Sequence, residues 1–120
     1  MSSDRVVLVV EDEALLLYST ADDLREQGFE VIEARNAAEA LVALASNPRI
    51  SLLFTDIDMP GSMDGLALAA AVRNRWPPVK ILVTSGKGQP SLSQLPDGAF
   101  LSKPYTSNAI AEVFSRLLGR

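Results

Sequence analysis

Cysteine and histidine are both absent from the 120 residues of this chain. Without cysteine there is no disulfide framework, no zinc knuckle and no thiol nucleophile. Without histidine there is no Ser-His-Asp triad, no usual transition-metal ligand and no side chain that titrates unaided near neutrality. Positive charge is scarce: 11 basic residues against 15 acidic ones leave a net charge of −4. That balance speaks against a nucleic-acid partner, whose binding needs cations to displace counterions. Long apolar runs are missing too. Val6–Val10 and Gly65–Val72 fall far short of the ~20 residues a spanning helix needs, so no membrane insertion is expected. Met1–Arg5 holds no apolar core of signal-peptide length, and a cytoplasmic location is the expectation.

What is present suits an ordinary globule, with 48% hydrophobic and 22% charged residues. The length points to one domain over residues 1–120, without linker or repeat. Short solid apolar runs alternate with amphipathic stretches. Val6–Val10 reads as a strand buried on both faces, and Glu13–Gln27 as a helix with Leu17, Ala21 and Leu24 inward and Gly28 at its end. Phe29–Ala34 is a second, partly exposed strand. Asn36 and Glu39 cap a helix that turns Ala37, Ala40, Leu41 and Leu44 inward before Asn47-Pro48 stops it. Ile50–Thr55 is the third strand. A turn-rich loop around Pro60 and Gly61 leads to a helix over Gly65–Trp76, with an expected buried stripe of Leu66, Ala69 and Val72. Val79–Thr84 and Ala99–Ser102 are the last two strands, and Thr106–Leu118 the closing helix. Trp76, Tyr105 and Phe114 read as packing residues.

Strands separated by helices run parallel, with right-handed crossovers. The expected fold is α/β, a doubly wound five-stranded parallel sheet in the flavodoxin-like order 2-1-3-4-5. One crossover fits badly. In residues 86–98, Gly86, Gly88, Gly98, Pro90 and Pro96 oppose a regular helix. The fourth crossover helix is therefore expected to be shortened or missing, with at most a turn around Ser91–Gln94.

Ligands of such sheets bind beyond the carboxyl ends of the strands. Glu11, Asp12 and Glu13 follow the first strand, Asp56 and Asp58 the third, Thr84 and Ser85 close the fourth, and Lys103-Pro104 follows the fifth. The first and third strands are neighbours in the expected order, so Glu11, Asp12 and Asp56 should converge. Crowded carboxylates repel one another, and a divalent cation compensates. An oxygen-only set suits Mg²⁺. With the Thr84 hydroxyl and the Lys103 ammonium, the set makes a phosphoryl site in which one carboxylate can attack phosphorus.

These motifs resemble the receiver domain of two-component response regulators. The resemblance rests on Val9-Val-Glu-Asp-Glu13, Asp56-Ile-Asp-Met-Pro60 with Met63-Asp-Gly65, Val83-Thr-Ser85 and Lys103-Pro-Tyr105. It implies that Asp56 accepts a phosphoryl group from a histidine kinase or a histidine phosphotransfer protein. It further implies that Asp12, Glu11, Asp56 and the backbone carbonyl of Asp58 hold Mg²⁺, Glu11 through water. By the same resemblance Lys103 pairs with Asp56 and then with the phosphoryl group. Thr84, beside Ser85, is the switch hydroxyl, Phe100 the aromatic that turns inward, and Lys103-Pro104 a cis bond. The expected activity is signalling, limited to the domain's own phosphorylation and dephosphorylation. Ser62 looks like an extra loop residue, and Phe100 stands where a tyrosine would bring a hydroxyl. Two other readings stay open: a receiver-like interaction module that is never phosphorylated, and a haloacid-dehalogenase-type phosphatase with Asp56 as nucleophile and Asp58 as general acid. Kinase, output and oligomeric state are not written in the sequence.

Overall fold

The structure is a computed structural model describing residues 6–59, 63–86 and 99–119. Its elements follow the order β1 (Val6–Val10), α1 (Ala14–Glu26), β2 (Glu30–Ala34), α2 (Ala37–Ser46), β3 (Ile50–Asp56), α3 (Gly65–Arg75), β4 (Lys80–Ser85), β5 (Ala99–Ser102) and α4 (Ser107–Leu117). All strand pairs are parallel, and the sheet order is β2-β1-β3-β4-β5. This is the flavodoxin-like order that the alternation of strands and helices predicts. Four helices occur among the described residues. Ser62 and the crossover at 87–98, with the turn expected at Ser91–Gln94, lie outside the described residues.

The apolar solidity of β1 has a direct cause. Alternate side chains point to opposite faces of the sheet. Val6, Leu8 and Val10 join one core with residues of α2 and α3, including Ala40, Leu44, Leu68 and Val72. Val7 and Val9 join a second core with Leu17, Ala21 and Leu24 of α1 and Ile110, Val113 and Phe114 of α4. Both faces are covered, so every position of β1 is buried. Three helix starts carry side-chain caps: Asn36 accepts from Glu39 N–H, Asp64 from Ala67 N–H and Thr106 from Ala109 N–H. Glu39 Oε1 in turn accepts from Arg35 N–H at 2.8 Å, closing the cap of α2 from both sides. Gly28 ends α1 at φ 97°, a conformation that favours glycine. Trp76 packs as expected, half-buried under the Arg75 guanidinium, 4.5 Å from its ring.

Two details differ from the sequence-based expectation. In α3 the buried residues are Gly65, Leu68, Ala69 and Val72, and Leu66 is only half-buried. A Cβ on Gly65 would lie 1.9 Å from the Asp56 carbonyl oxygen, so the helix begins flush against the end of β3. That contact turns positions 65, 68, 69 and 72 inward and leaves Leu66 about 100° round the helix. The second difference is where two strands end. β3 runs through Asp56 and β4 through Ser85, because Ile57 N–H donates to Thr84 O at 2.8 Å and Lys103 N–H to Ser85 O at 3.0 Å. Asp56 and Ser85 thereby join the strands, and Asp56 lies in register with Thr84.

Candidate functional site

The site lies at the carboxyl ends of β1, β3, β4 and β5. Glu11 follows β1, and its N–H bonds to Ala34 O at 3.1 Å. The residue is only 3% exposed, and its Oε2 accepts from Glu13 N–H at 3.0 Å. Asp12, the next residue, is exposed. Asp56, the last residue of β3, is 3% exposed, and its Oδ1 accepts from Asp58 N–H at 3.0 Å. One carboxylate oxygen from each of Glu11, Asp12 and Asp56 lies within 4.8 Å of the others. This oxygen-only set fits a hard divalent cation such as Mg²⁺.

Among the described residues, one cation reaches into the group. Lys103 Nζ stands 2.8 Å from Asp56 Oδ2 and 3.1 Å from Glu11 Oε1. The lysine side chain is 24% exposed. Burial alone would lower its proton affinity, but the hydrogen bonds and charges of Asp56 and Glu11 outweigh that and hold the ammonium above the ordinary lysine range. Burial pushes the Glu11 carboxyl up; the Glu13 N–H and Lys103 offset part of the rise, and the charge on Asp56 adds to it. Lys103 thus bridges two buried carboxylates.

Thr84 is 2% exposed, and its hydroxyl has no hydrogen-bond partner among the described residues. A buried hydroxyl without a partner is uncommon and costs about 1–3 kcal/mol. Next to it, Ser85 Oγ donates to Asp58 Oδ2 at 2.7 Å, tying the β3 loop to the end of β4. Phe100 on β5 is half-buried against the α2–α3 core. The Lys103-Pro104 bond is cis. The structure thus gathers Glu11, Asp12, Asp56, Asp58, Thr84, Ser85 and Lys103 at one rim and sets Phe100 behind it.

Sequence reasoning passed over one contact near this rim. Tyr105 packs as expected, against the core that holds Ile110, Val113 and Phe114 of α4, its ring edge-on to Phe54 at 5.2 Å, but its hydroxyl also meets Thr20 Oγ1 of α1 at 3.1 Å. Nothing local marks Thr20, because its partner is remote in sequence. The only available signal was its place on the buried face of α1, beside Leu17, Ala21 and Leu24.

The chain matches a family model described as the response regulator receiver domain over residues 7–115. The response regulator protein FleR of Pseudomonas aeruginosa is 32% identical over 114 residues, a stretch that covers 92% of this chain and 24% of FleR. The receiver domain of NtrX from Brucella abortus shares the fold with a TM-score of 0.84 at 32% identity, covering 94% of this chain and 98% of that one. The response regulator protein TrrA of Thermotoga maritima, solved in complex with Mg²⁺-BeF, gives a TM-score of 0.85 at 28% identity, covering 94% of this chain and 98% of that one. Against curated relatives such as FleR, the chain spans about a quarter of their length.

Proposed function

This chain belongs to the response regulator receiver family of two-component signalling, and on that footing we propose that Asp56 is its phosphoacceptor. The phosphoryl donor is a histidine kinase or a histidine phosphotransfer protein in the cytoplasm, and residues 1–120 act as one receiver domain. The observation that carries this reading is the Lys103–Asp56 ion pair of 2.8 Å inside a cluster of carboxylates.

The residues divide the work by position. Asp58 N–H and Lys103 hold the two oxygens of Asp56 in one orientation. An Asp56 oxygen forms a bond to phosphorus while the bond from phosphorus to the donor's imidazole nitrogen breaks. The leaving imidazole keeps the electron pair and takes its proton from solvent. Glu11, Asp12, Asp56 and the Asp58 carbonyl are the groups that would hold Mg²⁺, which when bound supplies positive charge for the phosphoryl oxygens. Lys103 stays with the new phosphoryl group as its second source of positive charge.

Phosphorylation adds about −1.5 to −2 charge and new acceptor oxygens. The Thr84 hydroxyl, buried with its donor unused, is the group positioned to answer them. Its movement toward the rim vacates space behind β4, which the Phe100 ring can fill from β5. The charge at Asp56 is thereby read as a change of shape around β4 and β5. The domain signals; its only chemistry is its own phosphorylation and dephosphorylation.

Intact mass after incubation with acetyl phosphate and Mg²⁺ tests the assignment. The wild-type chain is expected to gain one phosphoryl group, and Asp56→Asn to gain none while keeping its fold. Uptake by the Asp56→Asn variant would move the acceptor elsewhere.

A further inference from the structure

Resting on the phosphoacceptor reading of Asp56, we propose that Thr20 and Tyr105 form a bolt between α1 and the β5–α4 connection that positions Lys103 for phosphoryl transfer. The two hydroxyls bond each other rather than the carboxylates, although the charges of Glu11, Lys103 and Asp56 reach the Tyr105 phenol; both are assigned as positioning residues that act through Lys103.

Lys103 has a long, flexible side chain, and ordering it costs rotamer entropy. Its reach to Asp56 and Glu11 depends on where its backbone is held. On the β4 side, Lys103 N–H donates to Ser85 O at 3.0 Å. On the other side the chain turns through Pro104 to Tyr105, which is held at both ends of its side chain. The ring stands edge-on to Phe54, at 5.2 Å and 72°. The hydroxyl shares a 3.1 Å hydrogen bond with Thr20 Oγ1. Phe54 lies two residues before Asp56 on β3, so the ring contact ties Tyr105 to the strand that carries the acceptor.

Thr20 is 4% exposed on an otherwise apolar helix face. A threonine inside a helix commonly turns its hydroxyl back to the carbonyl one turn earlier. Here the recorded partner is the phenol of Tyr105 instead. A valine of the same shape would fill the space without a polar atom to satisfy. The hydroxyl is thus the part of Thr20 that packing does not explain. The same helix follows directly from the Glu11–Glu13 turn, with Leu17 N–H on Glu13 O at 2.9 Å, so the bolt also sets the distance between the lysine loop and Glu11.

The test is the rate of phosphoryl uptake from acetyl phosphate with Mg²⁺, followed by intact mass, beside the melting temperature of each variant. Thr20→Val and Tyr105→Phe, which keep shape and lose a hydroxyl, are expected to slow uptake roughly fivefold or more. Thr20→Ser, which keeps the hydroxyl, is expected to stay near the wild-type rate. In a Lys103→Ala background, Tyr105→Phe is expected to cause no further slowing, because the two residues then act as one unit. Wild-type rates in Thr20→Val and Tyr105→Phe, with only the melting temperature changed, would overturn the bolt and leave the acceptor assignment standing. So would an equal slowing by Tyr105→Phe with and without Lys103. A wild-type chain that takes up no phosphoryl group overturns the reading of Asp56 and this inference with it.

Discussion

Lys103 concentrates the electrostatics of the rim in one side chain. Burial works against its charge, and the ion pairs with Asp56 and Glu11 more than restore it. A cation whose folded pKa is raised contributes stability that is complete below its unfolded value and is lost as pH climbs through the folded one. For Lys103 the loss therefore begins above the ordinary lysine value of 10.5. Glu11 has the opposite sign. Burial raises its carboxyl, so it opposes folding above its ordinary value of 4.5 and relaxes as pH falls. Urea unfolding of the wild type and Lys103→Gln at about pH 9 and about pH 11.5 checks the cation. The stability gap between them is expected to be wide at the lower pH and to narrow at the higher. Tyr105, also raised by burial, titrates in the alkaline range in both proteins and largely cancels from the difference. A gap that stays constant with pH would mean that the ammonium charge is not what Lys103 contributes.

Elements meet the rim most tightly where α3 begins. Gly65 N–H donates to Ile57 O at 3.0 Å, and any Cβ at that position would overlap the Asp56 carbonyl. Gly65→Ala is expected to cost about 3 kcal/mol or more in urea unfolding, because the obstacle is backbone that cannot rotate away. It should also slow phosphoryl uptake, since Asp56 sits on the displaced strand end. A variant as stable as the wild type would show that α3 can slide back at no cost. The element pattern itself was legible in the sequence. Solid Val runs, capping residues and Pro or Gly stops place all nine described elements within a residue or so of their observed ends. What periodicity could not show was rotation about an axis: Leu66 and Leu68 both fit an apolar stripe, and the choice between them is made by Gly65 against β3. The end of β4 was shifted by one residue for a similar reason. Its last backbone bonds come from Ile57 and Lys103, which belong to other parts of the chain. Likewise the charged residues of the rim announced themselves as carboxylates and a lysine after strands, whereas Thr20 did not. Its role depends on Tyr105, and only the packed sheet brings the two together.

At the scale of the whole molecule, the fold stacks two apolar cores around one sheet and leaves its carboxylates crowded at one end. That arrangement sets local repulsion among Glu11, Asp12 and Asp56 against global cohesion, and Lys103 offsets only part of it. A cation that binds the native rim and not the unfolded chain must therefore raise stability, by about 2.7 kcal/mol at a concentration of a hundred times its Kd. For a domain of this size such a gain raises the melting temperature by roughly 10 °C. Scanning calorimetry in EDTA, in Mg²⁺, and in Mg²⁺ with beryllofluoride reads the effect directly. The melting temperature is expected to rise at each step. Asp12→Ala should start a few degrees higher in EDTA, since one repelling charge is gone, and respond less to Mg²⁺. Asp56→Asn should lose the increment from beryllofluoride if, as proposed, that phosphoryl mimic binds the Asp56 carboxylate. A wild-type melting temperature indifferent to both additions would leave a binding-only receiver, whose acidic rim serves some purpose other than phosphoryl chemistry.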